Sequence, residues 1–267
     1  MRRPSIKYLG DLALVRLPRD FTGDLAELGK EVLNRGGVRT VLLVEGVEGW
    51  ERVPKVRFLA GSQETETVHR EYGWLYCLDA SKVMFSLGNS YERLRMSRLP
   101  HEGEVVVDMF AGVGQFTIPL AKSKAGRVVA FEINPEAYRY LVKNIQLNKV
   151  SEKVTAYNDD CRNAVKYGLA HGADRVVMGY LFGTIEYLPA ALQIAKDGAA
   201  IHFHEAAEPR EGWKNLYNKC VAVAETMEYR LELSGYRVVK SYSPKSWHYV
   251  LDLRALRKPL LEPAGNT

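Results

Sequence analysis

A glycine-rich turn that follows a short apolar run is the part of this sequence best suited to hold a ligand. Val105–Val107 predicts a short buried strand, Asp108 ends it, and Gly112 and Gly114 follow closely. Glycines in such a turn let the backbone approach a ligand, and the helix that follows presents free N–H groups. The sequence therefore predicts a cofactor site at this strand end, although a tight turn in an unrelated α/β fold would give the same local pattern.

The residue types around the turn favour one class of cofactor. A dinucleotide site usually has Gly or Ala at the third glycine position, which is Thr117 here. The carboxylate of Asp108 would repel a pyrophosphate, whereas it suits a ligand that carries a positive charge or an amine. The pattern thus favours S-adenosylmethionine (AdoMet) over NAD or ATP.

Acidic residues also end the next two predicted strands. Glu132 ends the second strand, where a carboxylate can accept hydrogen bonds from both ribose hydroxyls. Asp160 and Cys161 follow the third strand, where an acid can accept the exocyclic amine of adenine. The alternatives are a solvated acid at Glu132 and a helix N-cap at Asp159 or Asp160. Three acids at successive strand ends describe a pocket for adenosine.

The elements that must position these residues alternate between strand and helix after Pro100. Strands are predicted at Val105–Val107, Arg127–Glu132, Val154–Tyr157, Arg175–Met178, Ala199–Phe203, Tyr236–Ser241 and His248–Leu253. Helices are predicted from the glycine turn to Lys122, from Pro135 to about Asn148, and from Leu216 to Leu233. This alternation predicts a parallel, doubly wound sheet that binds ligands at the carboxyl ends of its strands.

The residues before this alternation predict a small mixed domain. Strands are expected at Leu12–Leu17, Val38–Val44 and Trp74–Asp79, and a helix at Asp24–Asn34. We therefore expect an α/β protein with a small N-terminal α+β domain over residues 1–95, an AdoMet-binding Rossmann-like catalytic domain over 96–258, and a tail over 259–267.

Composition and charge limit the class of protein. Of the 267 residues, 46% are hydrophobic and 26% are charged, as in ordinary globular proteins. No apolar run approaches the roughly 20 residues that span a bilayer. The basic start lacks the apolar stretch of a secretory signal, so we expect a cytoplasmic protein. The net charge of +5 fits a polyanionic partner, although a mildly basic solvated surface would give the same value.

Cysteines and histidines give no pattern typical of a metal site. Cys77, Cys161 and Cys220 are far apart in the sequence and form no C-x-x-C pair. His202 and His204 would point to the same face of a strand, but no third ligand is evident. We therefore expect neither a disulfide framework nor a bound metal.

Several ordered motifs resemble the class I AdoMet-dependent transferases that act on position 37 of tRNA. The motifs that carry the resemblance are Asp108–Phe116, Phe131–Pro135, Lys143–Asn148, Leu59–Ser62, Thr65–Gly73 and Leu78–Ser86. They extend over most of the chain. The resemblance implies the class I AdoMet-transferase fold for the core, AdoMet as co-substrate and the anticodon loop of tRNA as partner, and we expect a monomer.

The resemblance also implies cofactor contacts from the segment before the core, where Ser86 and Arg93 would reach AdoMet. The alternative for Arg93 is a contact with tRNA phosphates, because Arg95 and Arg98 make this a basic run that we expect on the RNA-binding surface. The complete predicted set of cofactor-binding residues is Ser86, Arg93, Asp108, Gly112, Glu132, Asp160 and Cys161.

That group of enzymes contains two activities, which are N1-methylation of guanine 37 and transfer of a 3-amino-3-carboxypropyl group onto a tricyclic wyosine precursor. The methyltransferases typically have the motif Phe-Ser-Pro-Arg. Here the segment Phe85–Asn89 resembles the Phe-Ser-x-Gly-Asn form of the wybutosine-synthesising aminocarboxypropyltransferases. This segment therefore favours aminocarboxypropyl transfer.

A second position separates the two activities. Gly179 follows the fourth predicted strand, where nitrogen methyltransferases often have an Asn or Asp that orients the target base. A glycine has no such acceptor and would open space for a bulkier base, unless it only permits a tight turn. His204 and Glu205 are candidates for a general base, but no catalytic residue is assigned.

We therefore expect an archaeal-type wybutosine-synthesising aminocarboxypropyltransferase. The first alternative is a tRNA guanine-37 N1-methyltransferase, which would release S-adenosylhomocysteine instead of methylthioadenosine. The second alternative is a noncatalytic RNA-binding protein that keeps an AdoMet-binding fold.

Overall fold

The computed structural model describes residues 3–49, 52–210, 212–243 and 245–258. Its strands are β1 (Ser5–Leu9), β2 (Leu12–Arg16), β3 (Thr40–Glu48), β4 (Val53–Gly61), β5 (Glu66–Glu71), β6 (Trp74–Asp79), β7 (Val105–Asp108), β8 (Arg127–Phe131), β9 (Val154–Tyr157), β10 (Ala173–Met178), β11 (Ala195–Ala207), β12 (Tyr229–Ser243) and β13 (Ser246–Arg257). Its α-helices are α1 (Leu25–Leu33), α2 (Ser90–Met96), α3 (Thr117–Ala121), α4 (Pro135–Leu147), α5 (Leu188–Ile194) and α6 (Gly212–Glu225). The predicted tail over 259–267 and the first two residues of the basic start lie outside the described residues. Within the described part of the chain, no helix is long and apolar enough to cross a bilayer.

The largest sheet has seven strands in the order β12-β13-β11-β10-β7-β8-β9. Neighbouring strands from β11 to β9 run parallel, whereas β13 is antiparallel to both of its neighbours. The predicted parallel, doubly wound sheet is therefore confirmed except at β13. The connection between β12 and β13 is short, and parallel neighbours need a long crossover, so these two strands can pair only as an antiparallel hairpin.

The order of the strands creates a crevice beside β7. From β7 the chain moves outward through β8 and β9, then returns to the other side of β7 to form β10 and β11. The strand order thus reverses between β7 and β10. Loops at the carboxyl ends of these two strands diverge, and the space between them is where open α/β sheets bind ligands.

Both faces of the central strands are buried, which explains their continuous apolar sequences. Val107, Val129 and Met178 pack in one hydrophobic cluster together with residues of α5 and α6. Their sequence neighbours Val106 and Val128 pack in a second cluster with α3 and α4. Helices therefore cover the sheet on two sides, as the alternation of strands and helices predicted.

A separate four-stranded sheet, β1-β2-β3-β4, is formed by the N-terminal residues. Its parallel pair β2 and β3 is connected through α1, whose N-cap Asp24 accepts the N–H of Ala26 at 2.7 Å. The predicted strands that became β2, β3 and β6 and the predicted helix α1 are confirmed. Strands β1, β4 and β5 were not predicted, because most of their side chains are exposed or half-buried and no apolar run marks them.

The β5–β6 hairpin packs against α4. The side chain of Asn144 accepts the N–H of Cys77 at 2.7 Å and donates to its carbonyl at 3.0 Å. Asn148 makes the same pair of bonds with Leu75, at 3.0 and 2.6 Å. These contacts join residues on the two sides of position 96, where the boundary between the domains stays a prediction.

The predicted helix Leu216–Leu233 is wrong at its C-terminal end. α6 ends at Glu225, and residues from Tyr229 onward pair with β13. Tyr229 and Leu231 are buried with an exposed residue between them, which is the period of a strand. Pairing with β13 thus overrides the helical pattern of this segment.

Candidate active site

The crevice beside β7 is a cleft of about 180 Å³, bounded by the ends of β7 to β10 and by residues 83–89. It brings together five of the seven residues that the sequence predicted for the cofactor, which are Ser86, Gly112, Glu132, Asp160 and Cys161. These residues come from four separate segments of the chain. The strand order of the sheet is what makes them neighbours.

Glu132 holds the glycine-rich turn in place. One carboxylate oxygen accepts the N–H of Gly112 at 2.6 Å, and the other accepts the N–H of Asn134 at 2.8 Å. Gly112 has a φ of +57°, in the left-handed region that glycine adopts without strain. Burial raises the pKa of Glu132. Because each carboxylate oxygen has two lone pairs, both oxygens can accept a further bond from a ligand.

The acids after β9 cap the next turn. Asp160 is the N-cap of the short helix Cys161–Tyr167, where it accepts the N–H of Arg162 at 2.9 Å. A hydrogen bond from the Arg162 guanidinium lowers the pKa of Asp160. The carboxylate of Asp159 accepts the hydroxyl of Tyr167 at 2.8 Å. Both acids therefore have structural contacts, and both also border the cleft.

Arg93 lies behind the segment that carries Ser86, and its side chain has no exposed surface. Its guanidinium pairs with both oxygens of Glu71, at 2.9 and 2.6 Å, and donates to the carbonyl of Ser86 at 2.9 Å. The amide oxygen of Gln115 accepts bonds from Arg93 and from the N–H of Ser86. Arg93 therefore anchors this segment, and the alternative role in binding tRNA phosphates is wrong.

Asp108 lies beneath the cleft and is fully buried. Its Oδ2 accepts the hydroxyl of Thr117 at 2.7 Å, whereas its Oδ1 has no hydrogen-bond partner among the described residues. Burial raises the pKa of Asp108 to about 6. Thr117 thus replaces the third glycine of a dinucleotide site with a hydroxyl that holds Asp108.

Gly179 borders the cleft after β10 but leaves no free space. A Cβ at this position would lie 2.8 Å from Cε2 of Phe116. The prediction that Gly179 opens space for a bulkier base is therefore wrong, because the ring of Phe116 fills that space and requires the glycine. Beside it, Phe110 and Tyr180 stack with their ring centroids 5.0 Å apart and form an aromatic wall of the cleft.

The two candidates for a general base, His204 and Glu205, have structural contacts instead. The carboxylate of Glu205 accepts backbone N–H groups of residues 182–184, so it holds the loop after β10. His204 is buried, its Nδ1 lies 3.0 Å from Nε2 of His248, and burial holds its pKa well below the ordinary value. Neither side chain borders the cleft. Neither is placed to take a proton from a substrate.

The basic run before the core does not form the predicted cationic surface. The side chain of Arg95 is only 11% exposed and pairs with Glu92 and Asp252. Only Arg98 of the three arginines is exposed. The prediction that Arg93 and Arg95 belong to an RNA-binding surface is therefore wrong.

A second cavity, of about 450 Å³, adjoins the cleft. It lies between one face of the N-terminal sheet, residues 83–88 and the end of β12, and Ser86 borders both spaces. Cationic side chains from four segments border this cavity, and they are Lys7, Arg16, Arg52 and Lys240. Phe182 and Tyr242 meet edge to face at its margin, with ring centroids 5.9 Å apart. The cavity is therefore both basic and aromatic.

Lys240 was not predicted as a site residue, yet its Nζ donates to Oγ of Ser86 at 2.7 Å. The two residues are 154 positions apart, and Lys240 is part of a strand of mixed polarity, so no local spacing marks it. Gln115 was also missed, although its place directly after Gly114 is a usable signal. No group of three or more side chains suited to a metal ion occurs among the residues that the structure describes.

The family model and the curated proteins that this chain matches belong to the same group of tRNA-modifying enzymes. Residues 67–232 match the family model described as the TRM5/TYW2 methyltransferase domain. The tRNA(Phe) (4-demethylwyosine(37)-C(7)) aminocarboxypropyltransferase of Pyrococcus horikoshii is 40% identical over 256 residues, which cover 93% of this chain and 88% of the relative. The tRNA (guanine(37)-N(1))-methyltransferase Trm5b of Pyrococcus abyssi is 34% identical over 252 residues, which cover 94% of this chain and 74% of the relative.

Solved structures agree with these relatives. P. horikoshii TYW2 in complex with MeSAdo matches with a TM-score of 0.85 and 36% identity, covering 95% of this chain and 91% of that one. Methanocaldococcus jannaschii TYW2 in complex with AdoMet matches with a TM-score of 0.77 and 37% identity, covering 95% and 100% of the two chains. Both likenesses include the N-terminal sheet as well as the seven-stranded one. The resemblance seen in the sequence is thus confirmed, and this chain belongs to the TRM5/TYW2 methyltransferase-domain family.

Proposed function

We propose that this protein transfers the 3-amino-3-carboxypropyl group of AdoMet to a carbon of the tricyclic wyosine precursor at position 37 of tRNA(Phe), and releases methylthioadenosine. The observation that carries this proposal is the 40% identity, over 93% of the chain, to an aminocarboxypropyltransferase of that specificity. The methyltransferase relative is less similar, at 34%. MeSAdo, the compound in the matching P. horikoshii structure, is the by-product that this reaction releases.

The cleft fits the adenosine part of AdoMet. Glu132 would accept the ribose hydroxyls with the lone pairs that its two backbone bonds leave free. Asp160 and Cys161 border the neighbouring part of the cleft, where a carboxylate would accept the adenine amine. Gly112 presents bare backbone at the turn. The cleft lining contains no Lys, and its only basic residue is Arg52, so among the described residues it does not suit a pyrophosphate.

Ser86, Arg93 and Asp108 would support AdoMet in different ways. Ser86 borders the cleft and would contact the ligand. Arg93 and Asp108 have no exposed side-chain surface, so their proposed contribution is to hold the Ser86 segment and the glycine-rich turn from behind. A direct contact between Arg93 and AdoMet would require its guanidinium to become accessible from the cleft.

The reaction depends on which carbon of the sulfonium faces the nucleophile. For aminocarboxypropyl transfer, the carbon of the methionine arm next to sulfur must face the substrate base, and the carbon–sulfur bond must lie in line with it. The second cavity meets the cleft at Ser86 and would admit the base there. Its aromatic pair would stack on the tricyclic ring, and the cations Lys7, Arg16 and Arg52 would hold the neighbouring phosphates.

The N-terminal sheet supplies two of those cations, Lys7 and Arg16. We therefore propose that the domain predicted over residues 1–95 binds the anticodon loop of the tRNA, while the domain over 96–258 binds AdoMet. The monomeric state and the cytoplasmic location stay predictions.

The activity is tested with two AdoMet samples, one labelled in the methyl carbon and one in the aminobutyrate carbons, and with precursor tRNA. We expect label from the second sample alone in the tRNA, one methylthioadenosine for each modified tRNA, and no reaction with unmodified guanine 37. Methyl label in the tRNA together with S-adenosylhomocysteine would make the protein a methyltransferase. Binding of tRNA with no turnover of either sample would identify the noncatalytic alternative.

A further inference from the structure

Lys240 lies beside Ser86, one of the residues at which the cleft and the second cavity meet. Its side chain extends from β12, and its Nζ donates to Oγ of Ser86 at 2.7 Å. Ser86 borders both spaces, and Lys240 borders the second one. A group bound in the second cavity and facing the cleft would therefore lie next to Nζ of Lys240.

The segment Phe85–Asn89 leaves room for this lysine. A Cβ at Gly88 would lie 3.0 Å from Cδ and 3.3 Å from Nζ of Lys240. An alanine at this position would force the lysine side chain to shift by a few tenths of an ångström. The glycine of this segment thus has a spatial role, which is to admit the aliphatic stem of Lys240.

The surroundings of Lys240 disfavour its charged form. No ion pair among the described residues includes Lys240, and its Nζ lies 4.9 Å from the centroid of the Tyr242 ring. The charged groups that act on it most strongly are the cations Lys7, Arg16, Arg52 and Arg93, of which Arg93 is itself paired with Glu71. Its other neighbours Ser86, Tyr242 and His248 are uncharged. Burial and these cations lower the pKa of Lys240 to about 8. At mildly alkaline pH, around 8 and above, a substantial fraction of the side chain is therefore a neutral amine with a free lone pair.

We propose that Lys240 is the general base of the proposed aminocarboxypropyl transfer and removes the proton from the ring carbon that is modified. This inference rests on the proposed function. The ring carbon attacks the carbon next to sulfur, the carbon–sulfur bond breaks, and its electron pair stays on sulfur as neutral methylthioadenosine. The attacked carbon is then tetrahedral and still carries its proton, and the positive charge is spread over the rest of the substrate's ring system. That carbon loses its proton to Nζ of Lys240, which passes it to water before the next turnover.

The side chain offers a sharp test, because Lys240→Arg keeps the positive charge but cannot act as a base near neutral pH. Lys240→Met keeps the aliphatic stem and removes the amine. We expect kcat for methylthioadenosine formation to fall by roughly 100-fold or more in both variants, the range of general-base effects. AdoMet affinity, measured by calorimetry, should stay within about threefold of the wild type, which also shows that the variants are folded. Lys245→Met, an exposed lysine outside both cavities, is the matched control and should keep full activity.

The wild-type pH profile gives a second readout. Activity should rise with pH through about 8 and level off above it, because only the neutral amine accepts the proton. Activity of Lys240→Arg within tenfold of the wild type would overturn the proposal, since a cation that only binds a carboxylate or a phosphate would then suffice. A flat wild-type profile between pH 6.5 and 9 would overturn it as well. If the wild type itself formed S-adenosylhomocysteine, the proposed function would have failed instead, and the product analysis separates the two cases.

Discussion

Glu132 connects two segments that border the cleft. Its carboxylate accepts hydrogen bonds from the N–H of Gly112 in the glycine-rich turn and from the N–H of Asn134 before α4. The same carboxylate faces the space where the ribose would lie. One side chain thus organises the loop and binds the ligand, which makes its removal costly for AdoMet binding.

We predict that Glu132→Ala weakens AdoMet binding by at least tenfold. Two charge-assisted bonds to the ribose, at about 1.5–3 kcal/mol each, are lost, and the turn at Gly112 loses its anchor. Calorimetry measures the effect. The control is Glu136→Ala, an acid one turn further along that pairs with Arg139 outside the cleft and should change affinity little. Equal affinities in both variants would remove Glu132 from the ribose site.

At the scale of elements, the segment 83–89 links the two cavities. Gln115 and Arg93 fix its backbone from one side, and Lys240 contacts it from β12 on the other. Its glycine leaves room for the stem of that lysine. We therefore expect the distance between this segment and Lys240 to matter for activity as much as the Ser86 side chain does.

We predict that Gly88→Ala lowers kcat by about tenfold and leaves AdoMet affinity within about threefold, because the added methyl displaces Lys240 and not the adenosine-binding residues. The backbone at Gly88 does not have a positive φ, so alanine itself introduces no backbone strain. Methylthioadenosine formation under saturating AdoMet is the measurement. Gly36→Ala, with no atom within 4 Å of the added Cβ, should behave as the wild type. An unchanged kcat for Gly88→Ala would show that Lys240 tolerates displacement.

The β5–β6 hairpin is the second element with a specific consequence. Tyr76 and Leu78 are fully buried against α4 and the sheet. The backbone N–H of Cys77 donates a hydrogen bond to the side chain of Asn144. Removing the hairpin would uncover this apolar surface and leave the buried amide of Asn144 without its partner, which costs about 1–3 kcal/mol for the amide alone. The hairpin therefore belongs energetically with the core, although it precedes residue 96.

We predict that a fragment of residues 63–258 unfolds cooperatively, whereas a fragment of residues 96–258 does not. Thermal unfolding followed by circular dichroism distinguishes them. The match to the family model also begins within this hairpin, at residue 67. If the shorter fragment unfolded with the same sharp transition and midpoint, the hairpin would be dispensable and the boundary at 96 would describe the folding unit.

At the scale of the whole molecule, the positive charges that are free to bind RNA can be assigned to one region. The chain carries 37 Lys and Arg against 32 Asp and Glu. Arg93, Arg95 and Arg175 are buried in ion pairs, so they contribute nothing to an RNA-binding surface. Lys7 and Arg16, which border the second cavity, form no ion pair with any of the described residues. The RNA-binding surface is therefore expected around this cavity.

We predict that the double variant Lys7→Gln with Arg16→Gln weakens tRNA binding by about tenfold and leaves AdoMet binding unchanged. The slope of log K against log salt should fall by roughly 0.7 for each phosphate contact that is lost. Filter binding across a salt series measures both quantities. A control of equal net charge is Lys214→Gln with Lys219→Gln, on the exposed side of α6. The same loss in both variants would mean that only the overall charge matters.

The sequence by itself determined the glycine-rich turn, the acids at successive strand ends and the alternation of strands and helices. These features have local periods and spacings, so short stretches such as Val105–Gly114 and Val154–Cys161 are sufficient to predict them. The family resemblance rested on the same kind of ordered local motif. The cleft residues Ser86, Gly112, Glu132, Asp160 and Cys161 could all be named in this way.

Only the tertiary structure decided which side chains are accessible and which distant residues meet. It buried Arg93 and Arg95 in ion pairs, placed the ring of Phe116 against Gly179, and turned the end of a predicted helix into β12. It also brought Lys240 to Ser86 across 154 residues. Burial and long-range contacts depend on how all segments pack together, and no window of local sequence contains that information.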